Sequence, residues 1–552
     1  MPEPHARIVS GRGRAIGFAV IIGAAALVVL AAHSARAFHI DDAIYIRWAR
    51  EITAHWPDPY CGEINWFGTS EPIPAAMRNP PLGAMLLALV GSVAGWSERS
   101  LHLALLVPSA AFLAATWALA RRWTASPNVA LAIAASAPAF LVTSASIMAD
   151  TLTAAACTCA ILAWCRPLPR AGPRSTVLAA LALFIAAMTK WYGLTLVPLL
   201  VAWELLIEKR LTLRCAWLLV PLAAAAALER WTGSAHGVSI FTHALSITLD
   251  SSNGRGTFLH AWSGLAFLGG SCAGCLLLIP FLARSRARAL IVALALACIA
   301  VLFARGHLDA WPTLAGASDS QRWAIAIQLG VWGFSGLMLL LIVLQDAWRG
   351  TPEARLLALW IAGTTVFCLC FNWGFPVRSF LPIVPALAIS MARACEQVPF
   401  LCRPLGRTLL VLALLGGGIL ATSILRADSE VAEEARETAT ALVRAQAPAR
   451  VWFEGHWGFQ HYAEAVGARA LDREHPAAQA GDVILVPMLN TNIFGVRPDR
   501  VRTLERRVVP LRSRFVVLGP RSGAGFWADA LGPLPFAWNL GDAAETWVFE
   551  QR

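Results

Sequence analysis

Thirteen apolar runs, each near the length of a membrane-spanning helix, follow one another along this chain, most of them joined by short basic loops. A bilayer core takes about 17 to 25 residues of helix. The runs cover roughly 16–32, 100–120, 127–144, 147–165, 174–189, 192–208, 215–229, 261–282, 287–304, 324–345, 354–371, 378–392 and 407–425. Only 14% of the residues are charged, against roughly a quarter in soluble proteins, so one water-soluble core cannot absorb this much apolar sequence. The sequence therefore reads as a polytopic membrane protein.

The formal charge of +11 is spread over loops rather than gathered into a patch. It reads as a topology signal and not as a nucleic-acid footprint. Arg7, Arg12 and Arg14 precede the first run and place the N-terminus in the cytoplasm. Ala35-Arg36-Ala37 has the small residues of a cleavage site. The membrane-embedded chain beyond it makes the first run an uncleaved span instead.

Segment 81–95 decides the side of every later loop. Treated as an interfacial or re-entrant helix, it leaves the clusters Arg121/Arg122, Arg166/Arg170/Arg174, Lys209/Arg210/Arg214, Arg284/Arg286/Arg288, Arg349/Arg355 and Arg393/Arg403/Arg407 inside. As a span it would export nearly all of them, against the positive-inside rule. Loop 38–99, loops 230–260 and 305–323, and the chain beyond about 426 are then expected outside.

The tail changes character. Residues 428–446 read as an amphipathic helix with Asp428 or Ser429 as N-cap. Strand-like pieces follow at Val451–Phe453, Val483–Val486, Phe515–Leu518 and Trp547–Phe549, with a helix around Phe459–Val466. These predict a small α/β domain over 426–552 beside a membrane domain over 1–425. Most of the 12 cysteines lie in apolar runs. They lack the His or Cys companions of a zinc site and read as small buried hydrophobes.

Several polar residues interrupt this pattern at the expected outer surface. Asp41 and Asp42 open a helix whose apolar residues Ile44, Trp48 and Ile52 recur every four positions, with Arg47, Arg50 and Glu51 toward water. Helix capping accounts for one acid; an active-site carboxylate is the other reading. Asp150 lies at the outer end of a span, Lys190 in an outer turn, and Arg378 at another outer boundary, with Arg36 adding a cation. Ionisable groups in apolar sequence are functional candidates. Such a set can take a proton from a hydroxyl and hold a departing phosphate.

The segments FHIDDAIYIRWAREI, MRNPPLGAMLLALVG, MADTLTAAACTCAILAW, MTKWYGLTLVPLL and VRSFLPIVPALAI, in that order, resemble the membrane glycosyltransferases that use polyprenyl-phosphate sugars. That group includes protein O-mannosyltransferases, lipid A aminoarabinose transferases and rhizobial lipopolysaccharide core transferases, and the likeness spans roughly 15–392. The resemblance implies an all-α polytopic fold of GT-C type with about 13 transmembrane helices and a C-terminal extracytoplasmic α/β domain. It makes Asp41 the candidate base, ahead of Asp42, and gives Asp150 a part in metal binding or acceptor orientation.

Lys190, Arg378 and Arg78 are the implied ligands of the donor phosphate. Tyr45, Glu71 and Asn79 are acceptor or sugar-binding candidates. Trp191-Tyr192 replace a usual Gly-Pro, and Ser379 stands where tyrosine is common. A divalent metal (magnesium, manganese or zinc) is an option, with Asp41 and Asp150 as ligands; His39 and His55 give no zinc spacing.

The expected partners are a polyprenyl-phosphate-linked sugar, a glycan, lipid or protein acceptor, and membrane lipids, with no nucleic acid. The expected location is a bacterial inner membrane, with catalysis in the periplasm and roles in lipopolysaccharide or other envelope glycan synthesis. The alternatives are a transporter or flippase of lipid-linked sugars, or a glycan polymerase or ligase. In the tail, His456, Trp457, Gln460, His461 and Tyr462 form either a sugar-binding surface or domain packing.

Overall fold

The computed structural model describes residues 4–166, 172–250, 257–283, 287–372 and 374–552. Arg170, Arg284, Arg286, Trp373 and positions 251–256 of the 230–260 loop lie outside these. The described chain is a helical bundle with one mixed sheet near its C-terminus.

Many large apolar side chains point outward on the long helices. Phe18, Val20, Ile21 and Val28 are exposed on helix Pro4–Ala32, as are Ile291, Val292 and Leu302 on helix Ala287–His307. Surfaces of this kind suit a lipid environment, where only backbone polar groups must be satisfied internally. Seven helices among the described residues are long and apolar enough to cross a membrane, or up to eight if one bent pair counts as a single span.

This corrects the expected thirteen. The run 127–144 is a pair of helices, Pro127–Ala135 and Pro138–Ser144, bent by 52°. A proline cannot donate its backbone N–H and clashes with the preceding turn, so Pro138 starts a new helix. Runs 147–165 and 174–189 form helices of 15 and 17 residues. Run 192–208 begins as a 3-10 turn at Trp191–Thr195, and run 261–282 is interrupted by another at Ala273–Leu277. Run 215–229 ends in a helix carrying Glu229 and Arg230. Segment 81–95 is helical over Leu82–Ala94, only 13 residues.

The surface helix expected after the first run spans Asp42–His55 and buries Ile44, Trp48 and Ile52 as its spacing predicts. It packs on helix Leu82–Ala94 and on a C-terminal helix, Trp457–Ala465. A short hairpin, Glu63–Asn65 with Ser70–Pro72, follows it in the first long loop.

Asp428 is not a helix cap. A single helix runs from Pro404 to Ala445, and Asp428 is buried in its middle. The onset of polar residues marks where the helix leaves the apolar layer, and nothing between 425 and 445 breaks it. Beyond it lies a five-stranded sheet in the order Arg469–Ala470, Val451–Phe453, Val483–Pro487, Ala543–Gln551, Val501–Pro510. The first three strands are parallel and the last two pair antiparallel. Phe453, Leu485 and Val548 enter the main core, while Trp452, Ile484 and Val486 form a second cluster, as a pleated sheet dictates.

The C-terminal unit docks on two parts of the bundle. Toward the first loop, Asn65 Nδ2 donates to Leu471 O at 2.9 Å and Arg473 N to Gly68 O at 2.9 Å. Toward the segment bearing Arg378, Val377 N donates to Phe526 O at 2.9 Å and Phe375 N to Asp529 Oδ1 at 3.1 Å. It thereby touches two of the pieces of chain that carry candidate residues, the first loop and the segment bearing Arg378.

Candidate functional site

Asp41, Asp150, Lys190 and Arg378 all sit at helix ends. Asp41 immediately precedes helix Asp42–His55, and Asp150 opens helix Asp150–Trp164, where a carboxylate is favoured by the helix dipole. Lys190 directly follows helix Pro173–Thr189, where a cation is favoured. Arg378 lies in the 3-10 turn Val377–Ile383.

Two ion pairs result. Arg378 Nη1 meets Asp41 Oδ2 at 2.7 Å, and Lys190 Nζ meets Asp150 Oδ1 at 2.7 Å. The two pairs are neighbours. Arg378 lies in the field of both Asp41 and Asp150, and so does the phenol of Tyr45. Burial pushes the Tyr45 hydroxyl far above its ordinary pKa, with those two carboxylates adding to the effect. Tyr45 therefore stays a neutral hydroxyl. Met148 Sδ and the ring of Trp527, 5.9 Å from its guanidinium, complete the surroundings of Arg378.

The side chain of Asp41 makes no capping bond to its helix, so capping does not account for this acid. Its neighbour does different work. Asp42 is fully buried and accepts from His39 N at 2.9 Å, Ser146 Oγ at 2.7 Å and Ile147 N at 2.9 Å. Burial raises its pKa to about 6 even against those bonds and the nearby Arg36. Both oxygens are taken, so Asp42 fastens the first loop to the turn that leads into Asp150.

Arg78, Asn79 and Glu71 form a neighbouring group. Trp191 Nε1, one residue from Lys190, donates to Arg78 O at 2.7 Å, and Tyr60 OH donates to Asn79 O at 2.7 Å. The Arg78 guanidinium lies 4.9 Å from the Phe67 ring centre. Burial lowers its pKa, and Glu71 acts in the opposite sense. Glu71 also accepts from Thr69 Oγ1 at 3.2 Å. His243, from the 230–260 loop, sits in the field of Arg78 and Glu71; no spacing in the sequence joins it to them.

A buried network that no pattern in the sequence discloses lies behind the site. Arg36 Nη1 pairs with Asp428 Oδ2 at 2.7 Å, both side chains almost wholly buried. Trp527 Nε1 donates to Asp428 Oδ1 at 2.6 Å, and His39 Nε2 lies 3.5 Å from the same oxygen. Burial lowers His39 to a pKa of about 4, so it is neutral at pH 7. The signals in the sequence are the cation Arg36 and an acid, Asp428, at the edge of an apolar run, where it resembles a cap.

A metal does not fit these residues. Asp41 and Asp150 are each committed to a cation, and no group of three His, Cys, Asp or Glu side chains with metal-holding geometry occurs among the described residues. Two narrow clefts flank the C-terminal unit, one lined by His39, Trp457 and Asn490, the other by Trp66, Gly455 and Asn492. Asp41 and Arg378 line neither.

No family model and no curated protein sequence matches the chain. Solved structures similar to it include ArnT from Cupriavidus metallidurans in the apo state, at 16% identity over 86% of this chain and 94% of that one, with a TM-score of 0.41. The Archaeoglobus fulgidus oligosaccharyltransferase in the apo form is 12% identical over 81% and 64% of the two chains, with a TM-score of 0.45. The arabinofuranosyltransferase AftD from Mycobacteria is 15% identical over 96% and 39%, with a TM-score of 0.43.

Proposed function

We propose that this protein is an integral membrane glycosyltransferase. It moves a sugar from a polyprenyl-phosphate-linked donor to a hydroxyl of a lipid, glycan or protein acceptor, with inversion. The observation that carries this reading is the formation of two carboxylate–cation pairs at helix ends, Asp41–Arg378 and Asp150–Lys190. The ordered motifs that resemble the polyprenyl-phosphate-sugar transferases agree with it.

In the resting site each cation is neutralised by a carboxylate. A phosphodiester entering between Lys190 and Arg378 competes for both, and charge-assisted hydrogen bonds make that exchange favourable. Arg378 shifting toward phosphate frees Asp41 Oδ2. Asp41 then receives the proton of the acceptor hydroxyl as its oxygen attacks the anomeric carbon. The bond from that carbon to the phosphate oxygen breaks, and the lipid phosphate leaves with the electron pair. Attack opposite the leaving group inverts the anomeric centre.

Lys190 and Arg378 stabilise the charge that develops on the phosphate, with Arg78 beside them. Asp150 Oδ2, buried and without a hydrogen-bond partner among the described residues, is available to a hydroxyl of the transferred sugar. Tyr45, Glu71 and Asn79 complete the polar wall. On this reading the 1–425 part supplies the chemistry, the 426–552 part stands in the periplasm, and the N-terminus is cytoplasmic.

The test is direct. Purified protein given radiolabelled polyprenyl-phosphate sugars and whole-membrane acceptors should move label into an acceptor. Donor binding with no label moved across the full panel contradicts transfer and favours a lipid-linked-sugar transporter.

A further inference from the structure

His456 belongs to the C-terminal unit, yet Asp41 is the carboxylate in whose field it sits. It stands in the segment FEGHWGFQHYAE, which none of the steps above uses. The local backbone holds it with unusual firmness. Gly455 and Trp457, on either side, are both in the left-handed region, at φ 77° and 63°. That conformation is costly for a residue as large as tryptophan and persists only where the surroundings enforce it.

The enforcing contacts are visible. His456 N donates to Asn490 Oδ1 at 3.0 Å, and Asn490 Nδ2 donates back to His456 O at 2.8 Å. Two residues on, Gly458 approaches the first loop so closely that a Cβ there would lie 2.2 Å from Phe38 O. Phe38 is three residues from Asp41. The elbow is thus pinned against the stretch of chain that delivers the candidate base.

The imidazole itself is only half satisfied. Its Nε2 lies 3.1 Å from Thr491 Oγ1, and its ring meets Trp66 edge-on at 4.4 Å between centroids. Nδ1 is buried and has no hydrogen-bond partner among the described residues. A buried polar atom left unpaired is costly unless something fills it. Burial also drives the imidazole pKa down to about 4, so the ring is neutral at pH 7 and Nδ1 is not a cationic phosphate ligand. A sugar hydroxyl, which both donates and accepts, satisfies Nδ1 in either tautomer.

We propose that His456 Nδ1 binds a hydroxyl of a saccharide substrate beside Asp41, so that the C-terminal unit completes the acceptor side of the site. The assignment rests on the transferase reading for what happens next, but not for the binding itself. It places the hydroxyl on the acceptor because the cations proposed for the donor phosphate, Lys190 and Arg378, come from the helix ends of the bundle. His456 comes from the unit packed over them. His456 is a binding residue here and not a base.

The experiment uses the full-length purified chain and a panel of methyl glycosides, with binding followed by thermophoresis. His456→Ala should weaken glycoside binding by about tenfold, the loss of one well-made hydrogen bond, and His456→Gln should recover part of it. In the transfer assay the same change should raise the acceptor KM while leaving kcat and the donor KM nearly unchanged. His456→Gln serves if the alanine variant fails to fold. Equal binding by native and variant chains, or no glycoside binding by either, overturns the proposal. Absence of transfer from every donor, with glycoside binding lost in His456→Ala, would sink the transferase reading and leave the hydroxyl site standing.

Discussion

Arg378 and Asp41, 337 residues apart in the chain, meet at 2.7 Å in an ion pair in which the arginine is only 10% exposed. Asp41 is the partner that makes the burial of the Arg378 guanidinium tolerable. The pairing joins the first loop to the last part of the bundle, and its geometry is held by chain from both.

Lys190 should act on the donor more than on the acceptor. Lys190→Met removes one charge-assisted contact, worth about 1.5–3 kcal/mol, and is expected to raise the donor KM by roughly 10- to 100-fold. Acceptor KM should change little. Steady-state kinetics with one substrate varied at a time separates the two, and an effect confined to the acceptor would remove Lys190 from the phosphate site.

Chelation should leave transfer unchanged. Asp41 and Asp150 are each paired with a cation, and no group of three His, Cys, Asp or Glu side chains among the described residues could hold a metal ion. Turnover measured before and after dialysis against a strong chelator tests this; loss on dialysis with recovery on adding magnesium, manganese or zinc would show that the ion pairs open to admit a metal.

Breaking the Arg36–Asp428 pair should be a matter of stability. Both side chains are buried, so Asp428→Ala strands a guanidinium and should cost about 3–5 kcal/mol. The double change Arg36→Met with Asp428→Leu should restore much of the lost melting temperature. A double variant no more stable than the single one would contradict the assignment.

Stability should fall as pH drops from about 6.5 toward 4. His39 and His456 each have a folded pKa near 4, below the ordinary 6.5, because burial disfavours the cation. The unfolded chain therefore binds protons first in that window, and folding loses ground as pH falls. Asp42, raised to about 6, acts in the opposite sense and offsets part of the loss. Melting temperatures of the native chain and His456→Gln across this range should converge toward acid.

Much of the fold and part of the site were legible in the residues. The surface helix after Asp41 followed from the spacing of Ile44, Trp48 and Ile52, and the acids and cations stood out against apolar sequence. Span number was not legible, because hydropathy counts apolar residues without saying whether one unbroken helix contains them. The break at Pro138, which splits the run 127–144 into two helices bent by 52°, is one that apolar character alone does not reveal.

Strand Val501–Pro510 escaped notice because it is an edge strand whose Arg502, Glu505, Arg506 and Arg507 hide the alternation. Charges of that kind keep sheet edges from pairing with other chains. The partners of Asp41, Asp428 and His456 were illegible for a different reason. Arg378 lies 337 positions from Asp41, Arg36 lies 392 from Asp428 and Trp66 lies 390 from His456, and only the folded chain brings them together.

Transfer by Asp41→Asn, compared with the native chain on the same labelled polyprenyl-phosphate donor and membrane acceptors, tests the central claim most directly. The amide keeps the shape of the side chain and removes its ability to take a proton. The rate should fall by about 10²- to 10⁴-fold while donor binding persists. Equal transfer by the two proteins would contradict Asp41 as the base.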